Sequence, residues 1–201
     1  MTFAFPTTPV TTSPIDHVSF SISPRRDSPS TIHRISAPEL KYVVTDLVDV
    51  FMATVNGGAP LGFMPPITRD ESRNYWVSLM PDLESGSRIL LVASVDNRIV
   101  GSAQLELSRR GNSPHRAEIQ RVFVAKSMRG RGIGSALMHA LHEVARSNGR
   151  TLLTLNTRWG EPPERMYRAL GYEEVGVIPG WTIGEDGEFY DHVTLYIDLS
   201  A

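Results

Sequence analysis

Residues 121–141 read RVFVAKSMRGRGIGSALMHAL. An apolar run suited to a strand gives way to a loop where arginine and glycine alternate. A segment follows whose Ile133, Leu137, Leu141, Val144 and Ala145 share one helical face. Gly130, Gly132 and Gly134, two apart just before a helix, let successive amide N–H groups turn toward one anion with no Cβ in the way. Arg129 and Arg131 add positive charge. A tight strand-to-helix turn with surface arginines would use the same glycines, so the loop alone leaves both readings open.

The surrounding residues exclude two ligands. A kinase-type phosphate loop needs Gly-Lys-Ser/Thr to reach phosphates and magnesium, and none follows. A dinucleotide fingerprint needs a third glycine at 135, which is Ser135, and an acid closing the next strand, where Asn156 stands. The pyrophosphate of coenzyme A remains.

Outward from this stretch, residues 1–30 are rich in Ser, Thr and Pro and are expected to form a mobile leader with one short strand around 18–23. The fold proper, a single domain over 31–201, starts with a β-like run at 31–36. Ala37-Pro38 then opens a helix with Leu40, Val43, Val44, Leu47, Val48 and Phe51 at helical spacing. Asn56-Gly57-Gly58 stops it. A second helix begins near Thr68, where Asp70 and Glu71 suit its positive end, and finishes by Gly86. The period then changes to strands at 88–95 and 98–108, turning at Asp96-Asn97, and at 116–124. After the glycine loop and its helix come a strand at 151–157, a helix around 163–170, and strands at 172–178 and 189–199. Strands and helices mix without strict alternation, which predicts an α/β or α+β protein with a sheet of mixed strand direction.

These features together resemble the GNAT superfamily of N-acetyltransferases. Its central signature is Gln or Arg, two residues, Gly, one residue, then Gly or Ala; Arg129, Gly132 and Gly134 match it after an apolar strand and before an amphipathic helix. Element order from Thr31 to Leu199 also fits. Within the superfamily the chain is most similar to the tabtoxin-resistance acetyltransferases, through NGGAPLGFM (56–64), GSAQLEL (101–107), RAEIQ (116–120), RGRGIG (129–134) and MYRALGY (166–172).

The resemblance implies a GNAT fold: a mixed, mostly antiparallel sheet of about seven strands, splayed between its fourth and fifth, with about four helices. Acetyl-CoA would enter between strands 117–124 and 151–157. Its pantetheine amides would pair with main-chain groups of Val122, Phe123 and Val124. The pyrophosphate would sit on N–H groups of Gly130, Arg131, Gly132, Ile133, Gly134 and Ser135, with Arg129 beside it. No metal is implied, and His139 and His142, three apart on one helix, read as a solvated face.

Acetyl transfer to an amine needs a neutral nucleophile, because an alkylammonium has no lone pair, and so it needs a base. Glu118, eleven residues before Arg129 in the spacing several GNAT enzymes use for a catalytic glutamate, is the candidate, directly or through water. A strand glutamate paired with Arg116 or Arg121 is the plain alternative. Tyr167 stands where the family has its tyrosine, and a neutral phenol can protonate the departing thiolate; a core tyrosine is its plain alternative. The asparagine that many GNAT enzymes carry after the fifth strand is missing from RWGEPP, and Asn156 is left as a hydrogen-bonding candidate. The acceptor pocket is expected under the turn 56–66 and the loop 179–192, with Phe63 and Trp181 as walls and Glu185, Asp186, Glu188 or Asp191 attracting an ammonium.

The chain of 201 residues, 41% apolar with a formal charge of −2, gives no electrostatic case for nucleic acid or an anionic membrane. It has no cysteine, which rules out disulfides and thiolate chemistry. No apolar run approaches the ~18 residues of a membrane span, and the expected location is the cytoplasm. The expected activity is acetyl transfer from acetyl-CoA to a small amine, an amino-acid-like toxin or antibiotic. A protein or peptide acceptor and a non-catalytic acyl-CoA-binding module are the alternatives, and homodimer formation stays open.

Overall fold

In the computed structural model, which describes residues 21–22 and 30–200, a two-residue strand β1 (Ser21–Ile22) pairs antiparallel with β2 (Ser30–Ile35). The rest of the strand expected at 18–23, and the mobility expected of 1–30, lie outside the described residues. Helix α1 (Ala37–Asn56) starts with Pro38 in its first turn, where no N–H is needed, and the Ser36 N–H donates to the Glu39 carboxylate at 2.8 Å. Leu40, Val44, Leu47, Val48 and Phe51 are buried along one stripe.

Helix α2 (Arg69–Ser78) opens at Thr68. The Thr68 Oγ1 accepts the Glu71 N–H at 3.2 Å and the Thr68 N–H donates to Glu71 Oε2 at 2.8 Å, which satisfies two otherwise orphaned donors. The single helix expected to run on to Gly86 is divided, and a five-residue α3 (Met80–Glu84) follows. Pro81 cannot extend the ladder of the turn before it but fits the first turn of a new helix.

Strands β3 (Arg88–Val95) and β4 (Arg98–Leu107) join through Asp96 and Asn97, at φ 49° and 60°. Both central residues are left-handed, as a two-residue turn matching the strand twist requires. Then come β5 (Arg116–Val124), a 3-10 turn at Lys126–Met128, α4 (Ile133–Ser147), β6 (Leu152–Arg158), α5 (Pro162–Ala169), β7 (Glu173–Ile183) and β8 (Phe189–Asp198). The strand order is β1-β2-β3-β4-β5-β6-β8-β7, antiparallel throughout except for β5 and β6. Seven long strands with β1 added at one edge form the mixed sheet that the sequence predicts, and the helices α1, α2, α4 and α5 are the four expected.

The sheet is a middle layer. Ile89, Leu91, Ala93 and Val95 of β3 pack toward α4 with Leu137, Met138 and Leu141. Leu90 and Val92 pack toward α1 and α2 with Phe51 and Trp76. A strand covered on both faces reads as a continuous apolar run, and RILLVASV does. Fully burying one such side chain contributes about 1.5–3 kcal/mol.

Two expectations need correcting. His139 is exposed, but His142 is buried on α4 with Nε2 2.8 Å from the Tyr172 hydroxyl, so the pair is not one solvated face. Four residues of helix rotate a side chain by more than a full turn but three fall short of one, and that difference turns position 142 inward. The expected loop 179–192 is mostly strand: β7 continues to Ile183 and β8 begins at Phe189, leaving 184–188 as the turn. Gly180 and Pro179 do not break β7 because they lie in the irregular stretch between Ile178 and Thr182, where the pairing with β8 shifts register.

Candidate active site

The parallel pairing of β5 with β6 stops at Glu118 and Thr154, although β5 runs on to Val124 and β6 to Arg158. Beyond that point the strands part and open a cleft of about 920 Å³. On its other side β5 stays paired to β4, with one irregularity: Gln104 opposes Gln120 and Ser102 opposes Phe123, so Arg121 and Val122 together face one residue. Arg121 takes a φ of 52° at this bulge. The extra residue reverses the alternation. Ala117 and Ile119 belong to the core under α4, whereas Phe123 belongs to the core under α1 and α2. The sequence carried a trace of this, since Gln120-Arg121 breaks the alternation of RAEIQRVFV.

Below the splay point, Val122, Phe123 and Val124 line the cleft on the edge of β5 that has no ladder to β6. That edge can accept an extended amide-bearing chain as a further strand. The Arg129 Nε donates to the Val124 carbonyl at 3.1 Å, tying the loop back to the strand. Gly130 and Gly132 adopt φ 74° and 78°, and Gly132 caps α4. None of the amides of residues 130–135 donates to a described main-chain carbonyl. At Gly134 a Cβ would lie 2.9 Å from the Met166 sulfur, so the third glycine lets α5 press against the start of α4. Free amides at a helix N-terminus, aimed into a cleft beside an unpaired strand edge, suit a pyrophosphate joined to an amide-containing arm. Gly130, Gly132, Ile133, Gly134, Ser135 and Arg129 line the cleft, but the Arg131 side chain does not.

Glu118, on β5, and Tyr167, on α5, both line this cleft. The Glu118 Oε1 accepts from the Gln120 Nε2 at 3.3 Å and forms no ion pair among the described residues, so neither Arg116 nor Arg121 claims it. Gln120 is itself oriented. Its Oε1 accepts from Arg88 at 3.0 Å, which turns its amide nitrogen toward Glu106 and Glu118. Arg88 also donates to Gln104 and lies 2.7 Å from Glu106. The network was not legible in the sequence, because its members are separated by up to 32 residues. Tyr167 stacks edge-on to Tyr172, with centroids 5.8 Å apart, and its hydroxyl bonds to no described residue. Burial pushes the phenol well above its usual value, so it stays protonated.

On the acceptor side, Trp181 lines the cleft and Phe63 lines a smaller hollow of about 350 Å³ between residues 58–65 and the 182–186 end of the hairpin. Asn156 also lines the cleft, its Oδ1 accepting from the Thr194 hydroxyl at 2.8 Å. Asp191 does not: its carboxylate accepts the Gly180 N–H at 2.9 Å. Asp186 accepts from the Glu188 N–H and the Tyr190 hydroxyl, which hold its carboxyl below the usual range. These bonds orient both carboxylates without neutralising them, and Glu185 and Asp186 line the smaller hollow.

A model of the acetyltransferase (GNAT) domain matches residues 86–174, from the start of β3 to the start of β7. An uncharacterised N-acetyltransferase from the hisH-hisA intergenic region of Azospirillum brasilense is 35% identical over 115 residues, which cover 56% of this chain and 67% of that protein. The chain belongs to the GNAT acetyltransferases. An uncharacterised N-acetyltransferase of Methanocaldococcus jannaschii is 34% identical over 116 residues, 55% of this chain and 49% of that protein. The fold is shared with a Salmonella typhimurium protein assigned as an acetyltransferase and solved with its cofactor acetyl-CoA. That match has a TM-score of 0.68 at 16% identity and covers 86% of this chain and 95% of that one. As a GNAT acetyltransferase this chain is an acetyl-CoA-dependent N-acetyltransferase. The cleft between β5 and β6, with its free amides and unpaired edge, fits that cosubstrate.

Proposed function

We propose that this GNAT acetyltransferase acetylates the amine of a small acceptor, an amino-acid-like toxin or antibiotic, by direct transfer. The observation that carries the reading is that Glu118 of β5 and Tyr167 of α5 both line one cleft. Acetyl-CoA supplies an acyl thioester there. Glu118, oriented by Gln120, takes the proton that an ammonium must lose before it can attack, directly or through water. Tyr167, kept neutral by burial, protonates the CoA thiolate expelled as the thioester C–S bond breaks, and the phenolate is reprotonated from solvent before the next turnover.

A small acceptor is supported by the two segments that flank its side of the cleft. Residues 58–65 and the end of the 184–188 turn face each other across the smaller hollow, which narrows the approach that a protein or peptide acceptor needs. The likeness to the tabtoxin-resistance acetyltransferases in NGGAPLGFM and MYRALGY points the same way. Against a non-catalytic acyl-CoA-binding module stand the paired proton-handling groups. The same reading treats 31–201 as one catalytic domain of a cytoplasmic enzyme; no helix among the described residues is long and apolar enough to cross a membrane. For a homodimer, the exposed Val175, Ile178 and Phe189 on the last two strands offer apolar surface.

The test is release of CoA from acetyl-CoA with a panel of amines: amino acids, amino-acid-like antibiotics, polyamines, aminoglycosides and peptides with free N-termini. Turnover confined to small amines is expected. Turnover of peptides alone would replace this acceptor class, and binding of acetyl-CoA without any turnover would favour the binding module.

A further inference from the structure

We propose that Arg121 is the anchor for a carboxylate on the acceptor, which makes the substrate an amine that also carries an acid. The inference rests on the small-acceptor reading above and sharpens it. Arg121 lines the cleft on β5, three residues from Glu118, and no more than about 10 Å of strand separates the two. Its guanidinium lies 5.5 Å from the Tyr75 ring centroid and 5.8 Å from that of Phe63. Gly62 lets it close in further, since a Cβ there would stand 3.0 Å from Arg121 Nη2. All three neighbours come from the α1–α2 side, the face that covers the acceptor end of the cleft.

What is missing around Arg121 is an anion. Its Nε is buried with no hydrogen-bond partner, and no described carboxylate forms an ion pair with it. The nearby polar group whose titration registers its charge is the neutral Tyr75 phenol. A guanidinium withdrawn from water ordinarily has a carboxylate or phosphate to offset the loss of hydration. Arg88, two strands over on β3, shows the protein doing this: it meets Glu106 at 2.7 Å and donates to Gln104 and Gln120. Arg121 has instead a left-handed backbone, costing a non-glycine residue about 1 kcal/mol or more, and beside its guanidinium the neutral Tyr75 hydroxyl in place of a described carboxylate.

Arg158, also lining the cleft and stacked 3.7 Å from the Tyr190 ring centroid with its Nε also unpartnered, adds a second cation without an ion pair among the described residues. An acid-bearing amine would place its carboxylate on the planar fork, which binds carboxylates through two parallel hydrogen bonds, and its nitrogen toward Glu118. The coenzyme's phosphates do not need Arg121, since the free amides of 130–135, beyond the C-terminal end of β5, are available to them.

The test separates this site from turnover. N-acetyl-L-alanine, N-acetyl-L-glutamate and N-acetyl-L-phenylalanine, each beside its carboxamide, are titrated into CoA-saturated protein and followed by NMR. The acids are expected to bind about tenfold or more tightly than the amides, and Arg121→Met to remove that difference while CoA affinity and thermal midpoint hold. Arg121→Lys, which keeps charge but loses the fork, should retain part of it. Equal binding of acids and amides, persistence of the preference in Arg121→Met, or no acid binding at roughly 10 mM would each overturn the proposal. If acids bind through Arg121 yet no amine in the panel is acetylated, the carboxylate site stands and the transferase reading of the acceptor falls.

Discussion

Acidification should loosen this enzyme through one residue, His142. The imidazole is 6% exposed, holds the Tyr172 hydroxyl at 2.8 Å, and is drawn from 6.5 to about 4 by burial, with His139 and Arg146 adding to the effect. Because the folded pKa lies below the unfolded one, the unfolded chain takes the proton first as pH falls. The contribution is intact above about 6.5, is lost between 6.5 and 4, and changes no further below that. The shift corresponds to about 3 kcal/mol in full and about 2 kcal/mol by pH 5. For a chain of this size that is a fall in Tm of roughly 4–8 °C between pH 7 and pH 5.

His142→Gln supplies the control, since an amide can still meet Tyr172 but does not titrate. Thermal unfolding of both proteins from pH 7 to 5 at constant ionic strength should show the wild type losing those degrees and the variant losing several fewer. Carboxylates with depressed pKa, such as Asp186 and Asp198, lose their stabilisation as pH falls through the carboxylate range and do so equally in both proteins. Acetyl-CoA affinity should hold through most of that window, because His142 in the folded protein stays neutral until the pH nears about 4. Parallel curves for wild type and variant would refute the reasoning.

Glu118→Gln should lower kcat by about 10²–10⁴ with the acetyl-CoA affinity unchanged, since only proton transfer is removed; full turnover at every pH would assign the proton elsewhere. Tyr167→Phe should slow thiol release while the Tm stays within measurement error, because the hydroxyl it removes has no described partner. Wild-type rates would make the phenol structural. Gly132→Ala forces a Cβ into φ 78° at a cost of about 1 kcal/mol or more. It should weaken binding of CoA more than of a pantetheine fragment without the pyrophosphate, and calorimetry showing equal losses would remove the phosphate role.

Much of the site was readable because it depends on local chemistry. Glycines that permit left-handed turns, Pro38 in a first turn, the Thr68–Glu71 reciprocal cap and the two-sided apolar run of β3 each express their structure within a few residues. Glu118 could be named from its spacing to the glycine loop and Tyr167 from the family resemblance of MYRALGY, but their lining of one cleft could not. The partners of the last hairpin's acids were hidden for the same reason. Composition shows that Asp186 and Asp191 are charged, and only the folded hairpin shows that Tyr190 and the amides of Gly180 and Glu188 donate to them.

The sequence by itself determined the order of strands and helices, the glycine-rich turn and the family resemblance, because period, turn residues and glycine spacing act over short distances along the chain. The tertiary structure decided the rest. The bulge at Arg121 reverses which face each side chain of β5 meets, the splay after Glu118 opens the cleft, and a histidine three residues from an exposed one is buried against a tyrosine. Each depends on register and on which distant groups come to share one volume. A one-residue slip or an unpaired charge has no local signature, and its consequences appear only when strands from 30 residues or more apart are laid side by side.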